Sequence, residues 1–182
     1  EASVERMKKL DLLCNKVSEK MDIVLVGGTN GKSTTIHFAA KLLREEGFKV
    51  GTALSSHLLT PNERIMSDST NSITNKQLAD IANDVINLAE EHSIKATSFE
   101  LLTLISLLHF AQEKANVALL EVGYGGKLDA TTAFNAKIVA VTRIAQDHVG
   151  LLPEDLDTVS LEMVDLAKPG NWFISGEQSK IR

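Results

Sequence analysis

Gly28-Thr29-Asn30-Gly31-Lys32-Ser33-Thr34-Thr35 decides the fold of this 182-residue chain. The stretch follows the apolar run 23–26 and precedes a helical pattern over 36–46. Strand, glycine loop, Lys-Ser and helix in this order are typical of a loop that turns its backbone N–H groups around a phosphate. The N-terminus of the following helix carries free donors and a partial positive charge that favour the same anion. The sequence therefore predicts that residues 28–34 bind the phosphates of a nucleotide.

Lys32 and Ser33 give this loop its chemistry. The ammonium group of Lys32 can reach the terminal phosphates, and the hydroxyl of Ser33 can be offered to Mg²⁺. The common pattern G-x-x-x-x-G-K-[ST] would need a glycine at Val26, so the spacing here is the shorter G-x-x-G-K-S. Glycine turns between a strand and a helix also occur in proteins that bind no phosphate. Lys-Ser directly after Gly31 favours the phosphate loop.

Composition favours one soluble, enzyme-like domain. The chain is 43% hydrophobic and 24% charged, with a formal net charge of −5. Its length is sufficient for a single domain with a substantial core. Mild acidity without a dense Lys/Arg cluster argues against a nucleic-acid partner, and no apolar run approaches the ~20 residues of a membrane helix. Cys14 is the only cysteine, so we expect no internal disulfide and a reducing, cytoplasmic location.

Helical and strand patterns alternate along the chain. Apolar residues at helical spacing predict helices, and short apolar runs between them predict strands. The predicted helices cover 2–19, 36–46, 74–92, 97–114 and 153–167, and the predicted strands cover 23–26, 48–54, 117–122, 137–144 and 172–175. Residues 55–72 read as polar and irregular. The alternation predicts an α/β fold of the P-loop NTPase type, with helices flanking a mostly parallel sheet.

The residues that follow each predicted strand are candidates for the site. In a parallel sheet, ligands bind beyond the carboxyl ends of the strands. Ser55 follows the second predicted strand, Glu121 lies at the end of the third, and Asp147-His148 follow the fourth. Oxygen ligands suit Mg²⁺, which usually keeps some of its waters. The sequence thus predicts hydroxyls, a carboxylate and an imidazole near a triphosphate, although Glu121 and His148 taken singly also fit ordinary solvated positions.

Six blocks, spread over almost the whole chain, carry a family resemblance. They are residues 28–34; Ser55-Ser56-His57-Leu58 with Asn62-Glu63-Arg64-Ile65; Ser98-Phe99-Glu100-Leu101-Leu102-Thr103; Glu121-Val122-Gly123-Tyr124-Gly125-Gly126-Lys127-Leu128-Asp129-Ala130-Thr131; Asp147-His148; and Lys168-Pro169-Gly170. In order and spacing they resemble the N-terminal ATPase part of folylpolyglutamate synthase and dihydrofolate synthase, within the Mur ligase superfamily. A cell-wall Mur ligase fits the Lys-Ser loop but not the Asn-Glu-Arg-Ile and Gly-Gly-Lys-Leu-Asp blocks.

The resemblance implies an ATP-dependent ligase that acts on small molecules. Family members use ATP to turn a folate or dihydropteroate carboxylate into an acyl phosphate, which the amino group of glutamate attacks. The resemblance implies that Lys32 neutralises charge on the γ-phosphate. It also implies that Ser33, Ser55, Glu121 and His148 bind Mg²⁺. Lys32, Glu121 and His148 are then the catalytic residues.

Three positions leave alternatives open. Arg64 and Asp129 lie in family blocks, where a functional role and a structural salt bridge are equally open. Counting without gaps from Asp147-His148, the family's Glu-Lys pair falls on Glu162-Met163. That lysine is carbamylated in many members and helps to hold a metal, whereas Met163 offers only a weakly accepting thioether. The alternative function is therefore a nucleotide-binding module that has lost ligase chemistry.

The domain prediction is a single Mur ligase-type ATP-binding domain over 1–182, incomplete and without its C-terminal ligase domain. Family enzymes continue with further sheet and helices and then a separate domain, none of which is visible before Arg182. An incomplete parallel sheet exposes an edge strand that needs a cover. Either a homo-oligomer or the missing C-terminal domain would supply that cover.

Overall fold

The computed structural model of the chain describes residues 3–67, 71–145 and 156–176. Within these residues, helices flank one six-stranded sheet. The helices are α1 (Ser3–Leu13), α2 (Lys32–Glu45), α3 (Asn75–Glu91), α4 (Ser98–Gln112) and α5 (Leu156–Val164). The strands are β1 (Asp22–Gly27), β2 (Val50–Ala53), β3 (Ile65–Met66), β4 (Val117–Glu121), β5 (Ala136–Val141) and β6 (Trp172–Ser175). The predicted α/β fold with a mostly parallel sheet is confirmed.

No helix of the described ranges has both the length and the apolar character that crossing a membrane requires.

The strand order β3-β2-β4-β1-β5-β6 places β1 inside the sheet. β1 pairs in parallel with β4 and β5, while β2 joins β4 and β6 joins β5, also in parallel. Val26 of β1 lies opposite Glu121 of β4 in the register. These two strands therefore end at the same edge of the sheet, where the glycine loop leaves β1.

The two faces of the sheet are covered unequally. On one face, α1, α3, α4 and α5 contribute to a large apolar cluster that includes Met7, Val85, Phe110 and Met163. On the other face, α2 packs Ile36 and Ala40 against the sheet, within a smaller apolar cluster. The alternation of side chains along β1 and β4 divides their residues between these clusters. α4 is apolar on nearly all sides because it lies between the sheet and α3.

Two predicted helix boundaries and one predicted irregular stretch differ most from the structure, for local reasons. The predicted helix 2–19 ends at Leu13, because Asn15 and Lys16 adopt φ of 55° and 50° and reverse the chain. α2 begins at Lys32 rather than at 36, directly after the left-handed Gly31. The irregular stretch 55–72 contains β3, which pairs antiparallel with β2. A two-residue strand has no periodicity to detect, so only its partner reveals it.

Glu100 ties the start of α1 to the start of α4. Its carboxylate is 1% exposed and accepts hydrogen bonds from Nε and Nη2 of Arg6, at 3.0 and 2.7 Å. The backbone N–H of Thr97 donates to it at 3.0 Å, and the hydroxyl of Ser3 also donates to it. Burial by itself raises the pKa of the Glu100 carboxyl, but the hydrogen bonds from Arg6 and Ser3 outweigh it, and the net pKa is lowered. The ionised form therefore stabilises the fold.

We expect the substitution Glu100→Gln to lower the free energy of unfolding at pH 7 by about 1–3 kcal/mol, the range for hydrogen bonds to a charged group. Because the folded pKa lies below the unfolded value of about 4.3, this contribution is present above pH ~5 and is lost as the pH falls through the folded pKa. Urea denaturation at several pH values measures it. The exposed Glu91→Gln is the control, and a Glu100→Gln deficit of equal size at pH 7 and pH 3 would contradict the account.

Candidate nucleotide and metal site

The glycine loop leaves β1 and turns directly into α2. Gly28 and Gly31 have φ of +114° and +88°, a region that favours glycine. The ammonium group of Lys32 donates to the carbonyl oxygens of Gly28 at 2.9 Å and Thr29 at 3.4 Å. Lys32 therefore lies folded over the loop backbone and holds a positive charge beside the N-terminus of α2.

The loop is fastened to the segment that follows β5. The backbone N–H of Thr29 donates to the carbonyl of Arg143 at 2.9 Å. The Thr29 hydroxyl donates to the carbonyl of Ala145 at 2.9 Å and accepts from the Ala145 N–H at 3.0 Å. The hydroxyl of Thr142 donates to the carbonyl of Gly27 at 3.1 Å. The sequence analysis missed these anchors, because only the parallel pairing of β1 with β5 brings them to the loop.

Glu121 is buried at the end of β4, with 5% of the residue exposed. The Ser33 hydroxyl donates to its carboxylate and lies 3.1 Å from both oxygens. The backbone N–H of Ser55 donates to one of these oxygens at 3.1 Å. The structure thus brings together three of the four residues predicted to bind metal. His148, with Asp147, lies outside the described residues, and its role stays a prediction.

The oxygen atoms of Glu121 and Ser33 suit a hard cation as ligands. A carboxylate and a hydroxyl are oxygen ligands of the kind that Mg²⁺ prefers, and Mg²⁺ usually takes its remaining ligands from water and phosphates. Within the part of the chain that the structure describes, no group of three or more His, Cys, Asp or Glu side chains could hold a metal ion. A cation beside Glu121 would therefore depend on Ser33, on water and on a bound nucleotide as well as on the carboxylate.

Met163 lies in α5 directly beneath the end of β1. It is 5% exposed and belongs to the larger apolar cluster. A Cβ added to Gly27 would lie 3.4 Å from the Met163 sulfur and 2.6 Å from a methyl group of Leu166. Position 163 therefore reaches the carboxyl edge of the sheet, but it brings a thioether into an apolar contact there.

Lys168 does not replace the lysine that the family pattern expects at position 163. Its ammonium group donates to the carbonyl oxygens of Thr132 at 2.5 Å and Phe134 at 3.4 Å. Burial lowers the pKa of Lys168, and the charge of Lys8 lowers it further. Lys168 therefore fastens the chain beyond α5 to the turn that precedes β5.

Asp129 shapes the glycine-rich segment that follows β4. Its carboxylate accepts from the backbone N–H groups of Gly123 at 3.0 Å, Tyr124 at 2.9 Å and Thr131 at 2.9 Å. The hydroxyl of Thr131 also donates to it at 2.6 Å. Burial raises the pKa of Asp129, and these hydrogen bonds oppose the rise. The sequence left a structural salt bridge open for Asp129. In the structure its carboxylate instead binds backbone amides and a hydroxyl.

Arg64 lies against the loop that carries Ser55. Its Nε donates to Nδ1 of His57 at 2.8 Å. This bond requires the neutral His57 ring to carry its proton on Nε2. Arg64 and Glu121 line the same small pocket, but the hydrogen bond that the Arg64 side chain makes among the described residues is with a loop imidazole.

A groove of about 910 Å³ opens beside the glycine-rich segment, between the start of α4 and α5. Its lining includes Phe99, Tyr124, Gly126, Lys127 and Glu162. A Cβ at Gly123 would lie 2.6 Å from the ring of Phe99, and one at Gly126 would lie 1.9 Å from the Glu162 carbonyl. Glycine at these positions lets the Phe99 ring and the α5 backbone approach the segment.

The sequence profile of the Mur ligase middle domain matches residues 26–168. The chain belongs to the Mur ligase middle domain family. The resemblance inferred from the six blocks is confirmed, since the curated relatives of this Mur ligase domain are synthases of the predicted type.

The similar proteins are considerably longer than this chain. A dihydrofolate synthase/folylpolyglutamate synthase from Buchnera aphidicola subsp. Schizaphis graminum is 35% identical over 172 residues, which are 94% of this chain and 40% of the relative. A bifunctional synthase structure with Mn, AMPPNP and L-glutamate bound has a TM-score of 0.90 and 31% identity, covering 98% of this chain and 43% of that chain. The structure of Escherichia coli FolC in complex with DHPP and ADP has a TM-score of 0.90 and 30% identity. The match covers 97% of this chain and 42% of that chain.

The two loop glycines provide a matched pair of substitutions. Gly28→Ala would place a Cβ 2.2 Å from the Thr142 hydroxyl, whereas a Cβ at Gly31 meets nothing within 4 Å. Both substitutions strain a positive φ at a cost of about 1–2 kcal/mol, but only the first also displaces the anchoring segment. We expect Gly28→Ala to lose more stability in urea denaturation, by a further ~1–3 kcal/mol. Equal losses for the two variants would exclude this contact as the reason.

Met163 provides a second matched pair. We expect Met163→Lys to destabilise the chain by about 3–5 kcal/mol, because it places an unpaired ammonium group in an apolar cluster. Met163→Leu keeps the side-chain volume, and it should lower the free energy of unfolding by less than about 1.5 kcal/mol. Thermal and urea denaturation of both variants test this. A Met163→Lys chain as stable as Met163→Leu would mean that the lysine reaches solvent or a charge partner.

Proposed function

We propose that the chain is the ATP-binding part of a ligase that joins glutamate to a folate or dihydropteroate carboxylate. The observation that carries this proposal is the buried Glu121 carboxylate, which the Ser33 hydroxyl and the Ser55 N–H contact at the edge where the glycine loop lies. The names and bound ligands of the similar proteins, which include AMPPNP, L-glutamate, DHPP and ADP, support the substrates. One continuous sheet supports a single domain.

Residues 28–34 are proposed to hold the nucleotide phosphates. The backbone N–H groups at the start of α2 face the phosphate side of the loop. Lys32 exchanges its hydrogen bonds with the loop carbonyls for contact with the γ-phosphate, since an ammonium group prefers an anion to a neutral carbonyl. Its charge then stabilises the charge that develops during phosphoryl transfer.

The edge formed by Ser33, Ser55 and Glu121 is proposed to hold Mg²⁺, together with His148. When bound, Mg²⁺ neutralises phosphate charge and so reduces the repulsion between ATP and a substrate carboxylate. Glu121 supplies the negative charge that retains the cation. The N–H of Ser55 orients the carboxylate, because it fixes one of its two oxygens.

The proposed reaction has two steps. An oxygen of the substrate carboxylate attacks the γ-phosphorus of ATP, the bond to ADP breaks, and an acyl phosphate forms. The amino nitrogen of glutamate then attacks the acyl carbon, loses a proton, and inorganic phosphate leaves with the electrons of the C–O bond. Lys32, Glu121 and His148 are proposed as the catalytic residues, because they are assigned to the phosphates and the cation.

The groove beside the glycine-rich segment is proposed to hold the pterin substrate. Phe99 and Tyr124 offer aromatic surface to a flat heterocycle. Lys127 carries a positive charge at the same groove. Gly123 follows Glu121 by two residues, so a molecule in the groove can extend a carboxylate toward the phosphate edge.

A nucleotide-binding module without ligase chemistry remains the second proposal. Met163 is the specific observation that favours it, because its thioether is packed in the apolar cluster at the position where the family pattern has a metal-holding lysine. A chain of this kind would bind Mg-ATP at residues 28–34 but would not transfer phosphate to a pterin.

We expect Lys32→Ala to weaken Mg-ATP binding at least tenfold while the fold is retained. The Lys32 side chain donates to two loop carbonyls and lies outside the apolar clusters, so its removal leaves the core unchanged. Isothermal titration with Mg-ATP and a urea denaturation curve measure the two effects. The exposed Lys95→Ala is the matched control, and equal affinities for the two variants would refute the phosphate-loop assignment.

ADP release tests the ligase proposal directly. The chain is incubated with Mg-ATP and glutamate, and dihydropteroate or tetrahydrofolate is added in turn, with Lys32→Ala as the blank. Release that depends on one pterin supports the ligase and identifies its substrate. Mg-ATP binding without pterin-dependent release leaves two readings, the ATP-binding part of a longer ligase and the nucleotide-binding module.

A further inference from the structure

A second groove lies on the opposite face of the sheet, between α2 and the β2–β3 pair. It has a volume of about 560 Å³. The lining consists of His37, Lys41, Arg44, Glu45, Thr52 and Met66. Two permanent positive charges and a histidine face one carboxylate here, in a chain whose net charge is −5. The groove is therefore a local concentration of basic side chains that the proposed ligase chemistry does not use.

Thr52 provides the decisive observation at the floor of this groove. It lies in β2, is 1% exposed, and its hydroxyl has no hydrogen-bond partner among the described residues. Leaving a buried hydroxyl unpaired costs about 1–3 kcal/mol. Gly51 and Ala53, on either side, face the α4 side of the sheet, where Gly51 approaches the Phe110 ring. The Thr52 side chain therefore lies on the α2 face of the sheet, where it lines the groove with a hydroxyl that has no partner among the described residues.

The basic residues of α2 are placed to share one ligand. His37, Lys41 and Arg44 are spaced by four and three residues, which puts them on one side of the helix. The Arg44 guanidinium is half-buried and donates to the Val50 carbonyl at 2.8 Å, so it is fixed beside β2. No carboxylate of the described chain lies within 4.0 Å of the Lys41 ammonium group, although Glu45 is one turn away.

We propose that this groove binds a small oxyanion of the phosphate or carboxylate type. The Thr52 hydroxyl donates to the anion, and Arg44 and Lys41 neutralise its charge. Glu45 opposes the binding and restricts it to ligands that keep their negative charge away from that carboxylate. The site is separate from the glycine loop, because Lys41 follows Lys32 by nine residues, or roughly 13 Å along an α-helix.

Nuclear magnetic resonance titration of the whole chain tests the proposal. Amide shifts are followed while inorganic phosphate or succinate is added, and shifts at residues 28–34 report binding at the glycine loop separately from shifts at Thr52 and Arg44. Sodium chloride at matched ionic strength is the control for charge screening. The two anions distinguish a phosphate ligand from a carboxylate ligand. The proposal expects saturable shifts at Thr52 and Arg44 with at least one anion and none with chloride.

Four variants separate a built site from general surface charge. We expect Thr52→Val and Lys41→Gln to lower the affinity of the groove for the anion at least threefold. Glu45→Gln should raise that affinity by a similar factor. Lys95→Gln removes an exposed charge elsewhere and should change nothing. Thr52→Val should unfold at the same or higher urea concentration, because the hydroxyl it removes has no described partner. Non-saturable shifts, or equal effects of Lys41→Gln and Lys95→Gln, would overturn the proposal, whatever the chain does with ATP or a pterin.

Discussion

The buried carboxylate of Glu121 is the constraint on which the arrangement of the site depends. A carboxylate removed from water is costly unless donors surround it. Here the donors come from two other elements, the Ser33 hydroxyl at the start of α2 and the Ser55 N–H after β2. Satisfying one side chain of β4 therefore fixes the glycine loop and the loop after β2 at the same sheet edge. The same carboxylate is the group that we propose to bind Mg²⁺.

Close approach of backbone segments is the second requirement of this edge. Gly28 lies against Thr142, Gly123 against Phe99, and Gly126 against the backbone of α5. Any side chain at these positions would separate the elements that they join. Asp129 complements the glycines, because it binds three backbone N–H groups and holds their segment in one conformation. The glycine-rich segment is thus held by hydrogen bonds to one carboxylate, although its composition permits many conformations.

Met163 in α5 and Lys168 just beyond it have opposite surroundings, one apolar and one polar. Met163 fills the space beneath Gly27 with an apolar side chain. Lys168 places its ammonium group on two carbonyl oxygens at the other end of the segment. A charge is kept where carbonyls can bind it and is absent where the surroundings are apolar. The charged side chains that the described structure places at the carboxyl edge of the sheet include Lys32 and Glu121.

The sequence by itself determined the α/β class, the starts of α3 and α4 directly after Thr74 and Thr97, and the phosphate-loop pattern. These features are local, because periodicity, capping residues and a strand-loop-helix motif can be read within about 20 residues. Only the tertiary structure decided that Ser33 and the Ser55 N–H meet Glu121, that the chain after β5 anchors the loop, that Met163 is buried, and that Thr52 faces a basic groove. Each of these depends on strand order and on which face of the sheet a helix covers. Such contacts join residues that can be more than 100 positions apart in sequence, so no local pattern specifies them.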